Sequence, residues 1–159
     1  MTTYDPISLK ILWDRMVAIA DELVLSLVRT SFSMNVREGY DLSCMIFDAR
    51  GRLLTQGSYS VPSFTGTAPA TMGHMLRAFP AETMRPGDII ITNDPWMGTG
   101  HLFDINVMRP VFRTDRLVGF TMSVTHLPDI GGKGISSDCT EISHEGLRLP
   151  VCKLRDDGV

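Results

Sequence analysis

Residues 101–104 read His-Leu-Phe-Asp, residues 126–129 read His-Leu-Pro-Asp, and almost everything between them has the character of strand. Ile105 to Phe112 and Arg116 to Thr125 are rich in β-branched and aromatic side chains, and Thr114-Asp115 between them reads as a turn. A hairpin returns its end to where it began. This stretch therefore commits the chain to antiparallel sheet, and it carries His101, Asp104, His126 and Asp129 toward one place. Imidazole with carboxylate is a donor set suited to Zn, Mn or Fe in the divalent state. A single His-x-x-Asp is a weak signal, because histidines beside strands commonly serve as ordinary surface or core residues. Its repetition across one hairpin gives the metal reading its weight.

The segments on either side fill in the fold class. Asp5-Pro6 is an N-cap followed by proline in the first turn. Leu9, Leu12, Trp13, Met16, Val17, Ala20, Leu23, Val24, Leu27 and Val28 then keep helical spacing, which predicts one long helix ending near Arg29 to Ser31. A polar connection over 31–41 leads to a strand at Leu42 to Phe47, a turn at Asp48-Ala49-Arg50-Gly51 and a return strand at Arg52 to Gln56. A second helix is expected from Pro69, with Met72, Met75, Leu76 and Phe79 on one face and Pro80 at its end. Asp88 to Thr92 reads as a short buried strand. Asn93 to Asp104, NDPWMGTGHLFD, is then a loop at a strand end, where sites are often built. A polar loop at 126–138, a short turn or helix around Glu141 to Gly146 and a last strand at Leu147 to Leu154 complete the chain. The class is α+β: a long N-terminal helix packed on a mixed or largely antiparallel sheet.

Other side chains carry less. His74 lies in a helical pattern and reads as structural, and His144 reads as solvent-exposed. No base is tied by sequence to Cys139. Gly131-Gly132-Lys133-Gly134 has backbone amides for an anion but lacks the order of a P-loop. The formal charge is −3 and there is no Lys/Arg run, so nucleic acid is not an expected partner. No apolar run approaches the roughly 18 residues of a membrane span. MTTYDPISLK has no basic start and apolar continuation of the secretory kind. Cys44, Cys139 and Cys152 are too few and too scattered for a disulfide framework, and a reducing cytoplasm is expected. KLRDDGV, a polar turn where a hairpin would return, suggests a fragment of a longer chain.

Five stretches in order resemble the N-terminal part of the hydantoinase B/oxoprolinase family: DPISLKILWDRM, YDLSCMIFDARGRLLTQG, RPGDIIITNDPWMGTGHLFDINVMRPVF, THLPDIGG and TEISHEGLRLP. The resemblance covers about residues 5 to 155 and implies that 1–159 is the N-terminal portion of a B-type subunit. It implies a hetero-oligomer with a hydantoinase A-type partner that uses ATP to phosphorylate the substrate, a small cyclic amide. In the related ketone carboxylases the partner activates bicarbonate instead. It implies a divalent-metal site formed by Asp41, His101, Asp104 and His126. Asp129 is then placed to orient His126, and Asp129 or Asp94 is the candidate to accept a proton during hydrolysis. Three departures, Gly98-Thr99-Gly100 before His101, Tyr40 before Asp41, and His144 where other members carry other residues, bear on the subfamily and leave every proposed ligand in place. The alternatives to an amidohydrolase subunit are a ketone-carboxylase subunit and a non-catalytic module that kept the fold.

Overall fold

The computed structural model describes residues 5–157. Helix α1 runs Pro6–Thr30, and the Asp5 carboxylate accepts from the Ile7 and Ser8 amides, satisfying two of the free donors at the helix start. A single turn, α2 (Met34–Arg37), follows within the segment expected to be a connection, capped by Ser33. Strands β1 (Leu42–Asp48) and β2 (Leu53–Gln56) form the first hairpin. Helix α3 spans Pro62–Ala78. Strands β3 (Ile89–Thr92), β4 (Asp104–Arg113), β5 (Arg116–His126) and β6 (Cys152–Arg155) complete a six-stranded sheet of order β2-β1-β5-β4-β3-β6. Each pairing is antiparallel, so the sheet is antiparallel rather than mixed.

Two cores lie on opposite faces. Met45, Phe47, Met108, Phe120, Met122 and Val124 pack with Phe64, Ala68, Met72 and Met75 of α3. Leu42 and Cys44 face the other way, toward Val24 of α1 and Val36 of α2. The alternation follows the period of two along a strand. Gly119 is fixed by close approach: a Cβ there would lie 2.4 Å from the Phe47 carbonyl oxygen on the neighbouring strand. Only the later part of α1 is covered. Residues 6–15 are exposed on every side, with Ile7, Ile11, Leu12 and Trp13 in contact with solvent.

Two element boundaries differ from expectation. Helix α3 begins at Pro62 and carries Pro69 in its interior. The Pro69 ring points to solvent while Phe64 and Ala68 are buried, so burial holds the helix through a residue that removes one of its hydrogen bonds. Strand β6 is only four residues long. Residues 147–149 lie beside β3 but are held mainly by side chains, above all Asn93.

Asp88, fully buried just before β3, ties the last strand down. It accepts from the Arg85 amide at 2.9 Å, the Asp157 amide at 2.7 Å and Lys153 Nζ at 3.2 Å. Burial pushes this carboxyl up, but the two amides and the ammonium outweigh it and hold it below its ordinary value. A depressed folded value means stabilisation that is present above the unfolded range near pH 4 and lost as pH falls through the folded value. Asp88→Ala is expected to cost about 2–3 kcal/mol at pH 7. In urea melts the gap to wild type should narrow below about pH 4; a gap independent of pH would contradict the ionised role.

Candidate metal centre

Strand order places the site. Strands β1, β5 and β4 are neighbours, with Leu42 opposite Thr125 and Asp104 opposite His126. The His126 amide donates to the Asp41 carbonyl at 3.2 Å, which extends the β1–β5 register by one pair. Asp41, His126 and Asp104 therefore stand side by side across three strands at one end of the sheet. Their alternation puts them on the α3 face, in line with Ser43, Val124 and Asn106. The proximity of Asp41 has no signal in local sequence, because it depends on which strand β1 joins. His101 arrives from the loop between β3 and β4, after Gly100, whose φ of 101° lies in the region glycine tolerates.

The distances are short. His126 Nδ1 lies 3.0 Å from Asp104 Oδ1 and 3.6 Å from Asp41 Oδ2, and His101 Nε2 lies 3.1 Å from Asp104 Oδ2. His101, Asp104 and His126 each offer a ligand atom within 4.8 Å of the others. Asp41 touches this group from the His126 side. A carboxylate can only accept, so His126 presents its proton on Nδ1. The Phe103 amide donates to His101 Nδ1 at 3.2 Å, which leaves the proton of a neutral His101 on Nε2, facing Asp104. Phe103 also stacks on the His126 ring, with centroids 5.4 Å apart.

A divalent cation fits this donor set. Ligands about 2.1 Å from one ion are separated by about 3.0 Å at right angles and about 3.4 Å at tetrahedral angles. The 3.0 and 3.6 Å separations from His126 Nδ1 to Asp104 Oδ1 and Asp41 Oδ2 are of that size, and His101 Nε2 lies 3.1 Å from the other Asp104 oxygen. Asp104 is 1% exposed, yet its Oδ2 has no hydrogen-bond partner among the described residues, because His101 Nε2 is near but out of line. Asn106 Oδ1, two residues along the same strand face, is likewise buried and unsatisfied. A buried acceptor left without a donor is costly, and a cation would satisfy the first of these.

The two further carboxylates stand outside the cluster. Asp94 is buried and accepts from Arg148 Nη2 at 2.5 Å and from the Trp96 amide at 3.0 Å. Burial pushes its carboxyl up, and Arg148 with the Trp96 amide brings it below its ordinary value. Asp129 is exposed, and its Oδ1 accepts from the Gly131 amide at 2.8 Å; Asp104, not Asp129, is the carboxylate hydrogen-bonded to His126. His74 pairs with Arg77 on α3, as a structural histidine would. His144 is half-buried rather than free, accepting from the Thr140 amide at 3.3 Å. Sequence reasoning passed over Asn93 and Glu145, which bond the Leu102 peptides, and Arg148, which pairs with Asp94; their only local signal is the polar character of Asn93 beside Asp94.

Among the described residues no helix is long and apolar enough to cross a membrane. A family model described as hydantoinase B/oxoprolinase matches residues 5–159. The chain is 32% identical over 161 residues to the B-type subunit of a putative D-/L-hydantoinase from Pseudomonas sp. strain NS671, covering 98% of this chain and 27% of that one. The crystal structure of an ATP-dependent caprolactamase from Pseudomonas jessenii matches with a TM-score of 0.83 at 30% identity, over 99% of this chain and 27% of that one. The nucleotide-free structure of acetone carboxylase matches with a TM-score of 0.82 over 98% of this chain and 21% of that one. Its 24% identity makes that likeness one of fold. The chain spans about a quarter of the length of these three proteins.

Proposed function

The chain belongs to the hydantoinase B/oxoprolinase family, and on that premise we propose that it supplies the divalent-metal site of an ATP-driven cyclic-amide hydrolase. One observation carries the reading: Asp41, His126 and Asp104 aligned across three strands, with His101 closing on the unsatisfied Asp104 oxygen. Asp41, His101, Asp104 and His126 would hold the ion, with Zn, Mn or Fe the metals this donor set suits. A cation held there would supply Lewis acidity to a carbonyl or phosphoryl oxygen.

The chain's own residues account for the rest. Asp104 is held by its burial and by the His126 hydrogen bond, so it presents its other oxygen in a fixed place at the strand end. The Phe103 ring on His126 limits rotation of that imidazole. For His101 to ligate through Nε2 and His126 through Nδ1, each proton must move to the other ring nitrogen, and the Phe103 amide then loses its acceptor. Asp129, exposed and three residues past His126, is the group we assign to accept a proton from the attacking water. Asp94, engaged by Arg148, anchors the loop. An unactivated lactam resists attack, so ATP is assigned to a hydantoinase A-type partner that phosphorylates the amide oxygen. The Pseudomonas sp. relative is named as one subunit of a hydantoinase, which supports an arrangement of more than one chain.

The test is reconstitution with an A-type subunit, ATP and Mg²⁺, offering hydantoin, 5-oxoproline or caprolactam on one side and acetone with bicarbonate on the other. ATP-dependent ring opening is the expected result, lost when this chain is stripped of metal before Mg²⁺ and ATP are added, and restored by one of the three metals. Carboxylation of the ketone without ring opening would move the chain to the carboxylases. Wild-type turnover unaffected by thorough metal removal would overturn the metal assignment.

A further inference from the structure

Leu102 lies between His101 and Asp104 and is fully buried. Both of its backbone polar groups are held from outside its own loop turn. Its amide donates to Glu145 Oε2 at 2.9 Å, and its carbonyl accepts from Asn93 Nδ2 at 2.7 Å. Asn93 is 1% exposed, and its remaining capacity is used as well. Nδ2 also donates to the Leu147 carbonyl at 2.8 Å, and Oδ1 accepts from the Leu149 amide at 2.6 Å. One side chain thus joins the end of β3, the ligand loop and residues 147–149. Fixing both peptides of Leu102 fixes the backbone on which His101 and Asp104 ride.

We propose that Asn93 and Glu145 are positioning residues that set the His101–Asp104 separation through the Leu102 peptides. The inference rests on the metal-site reading above. Neither side chain needs to touch the ion. Their effect follows from ligand geometry: a shift at Leu102 changes the separation between the His101 imidazole and the buried Asp104 carboxylate. The Asp94–Arg148 ion pair ties the same two segments but touches neither peptide of Leu102. It therefore separates general bracing from positioning.

The experiment is a Zn²⁺ titration against a competing chelator, with the Co²⁺ absorption spectrum as a second readout. Asn93→Ala and Glu145→Ala are expected to weaken Zn²⁺ binding about 10–100-fold and to shift the Co²⁺ bands. Glu145→Gln keeps an acceptor for the Leu102 amide and should stay within about threefold of wild type. Arg148→Met should lower the melting temperature while leaving affinity and spectrum unchanged. If Asn93→Ala does not fold, the Glu145 pair alone decides. Wild-type affinity and spectrum in Glu145→Ala would overturn the proposal, as would equal losses in Arg148→Met. Absence of metal uptake by the wild-type protein would instead sink the ligand reading. The ring ¹⁵N shifts of His101, set by its contacts with Asp104 and Phe103, then decide positioning in the metal-free chain. Shifts unchanged in Glu145→Ala would overturn it there too.

Discussion

Asp104→Ala is expected to abolish divalent-metal binding while the chain stays folded. Asp104 is the member of the cluster that meets both imidazoles, one on each oxygen. Removing it leaves His101 and His126 with no shared carboxylate, and Asp41 reaches only the His126 side. Loss of a group that merely orients a ligand costs about 10–100-fold in affinity, and loss of a ligand exceeds that. More than about a hundredfold weakening of Zn²⁺ binding is therefore expected, together with absence of metal from the purified protein. The His101→Ala/His126→Ala double variant should match it. Elemental analysis and calorimetric titration read both. Wild-type stoichiometry in Asp104→Ala would remove the site from the cluster altogether.

Phe120→Ala is expected to destabilise the protein by about 3–5 kcal/mol, enough to leave a domain of ordinary stability marginal. Phe120 is fully buried in the middle of β5, directly opposite Phe47 of β1 and in the cluster that α3 covers. Truncation removes the transfer free energy of the ring and leaves a cavity between two strands and a helix that cannot easily close over it. The effect should appear as a lower urea midpoint with an unchanged slope. A loss below about 1 kcal/mol would mean that the α3 face is not close-packed at this point. The same strand ends in His126, so the variant's metal affinity, measured below its unfolding midpoint, should remain near wild type.

Much of this architecture is written locally. Helix α1 follows from Asp5-Pro6 and an unbroken helical spacing, and the β4–β5 hairpin from two strand-like runs around Thr114-Asp115. That hairpin sets Asp104 opposite His126, with His101 three residues earlier in the β3–β4 loop. Asp41 entered only through family resemblance, because its place depends on β1 joining β5, a pairing between distant parts of the chain. Asp129 shows the limit of motif symmetry. HLPD repeats HLFD, but Asp104 opens β4 while Asp129 lies beyond the end of β5, where its oxygen serves the next turn. Helix α3 began earlier than expected because burial of Phe64 and Ala68 outweighed Pro69. Asn93 and Glu145 escaped notice because a side chain's hold on distant backbone leaves no trace in spacing.

The row of side chains across β1, β5 and β4 has a thermodynamic meaning. Asp41 and His126 come from opposite halves of the chain and meet only when the β1–β5 ladder is closed up to its last pair. An ion that needs both residues binds the finished sheet and not the open chain. Its binding free energy is then added to the free energy of folding, rising with the logarithm of free ion concentration above the dissociation constant. Occupancy of the proposed site and closure of the central strands would then be a single linked equilibrium.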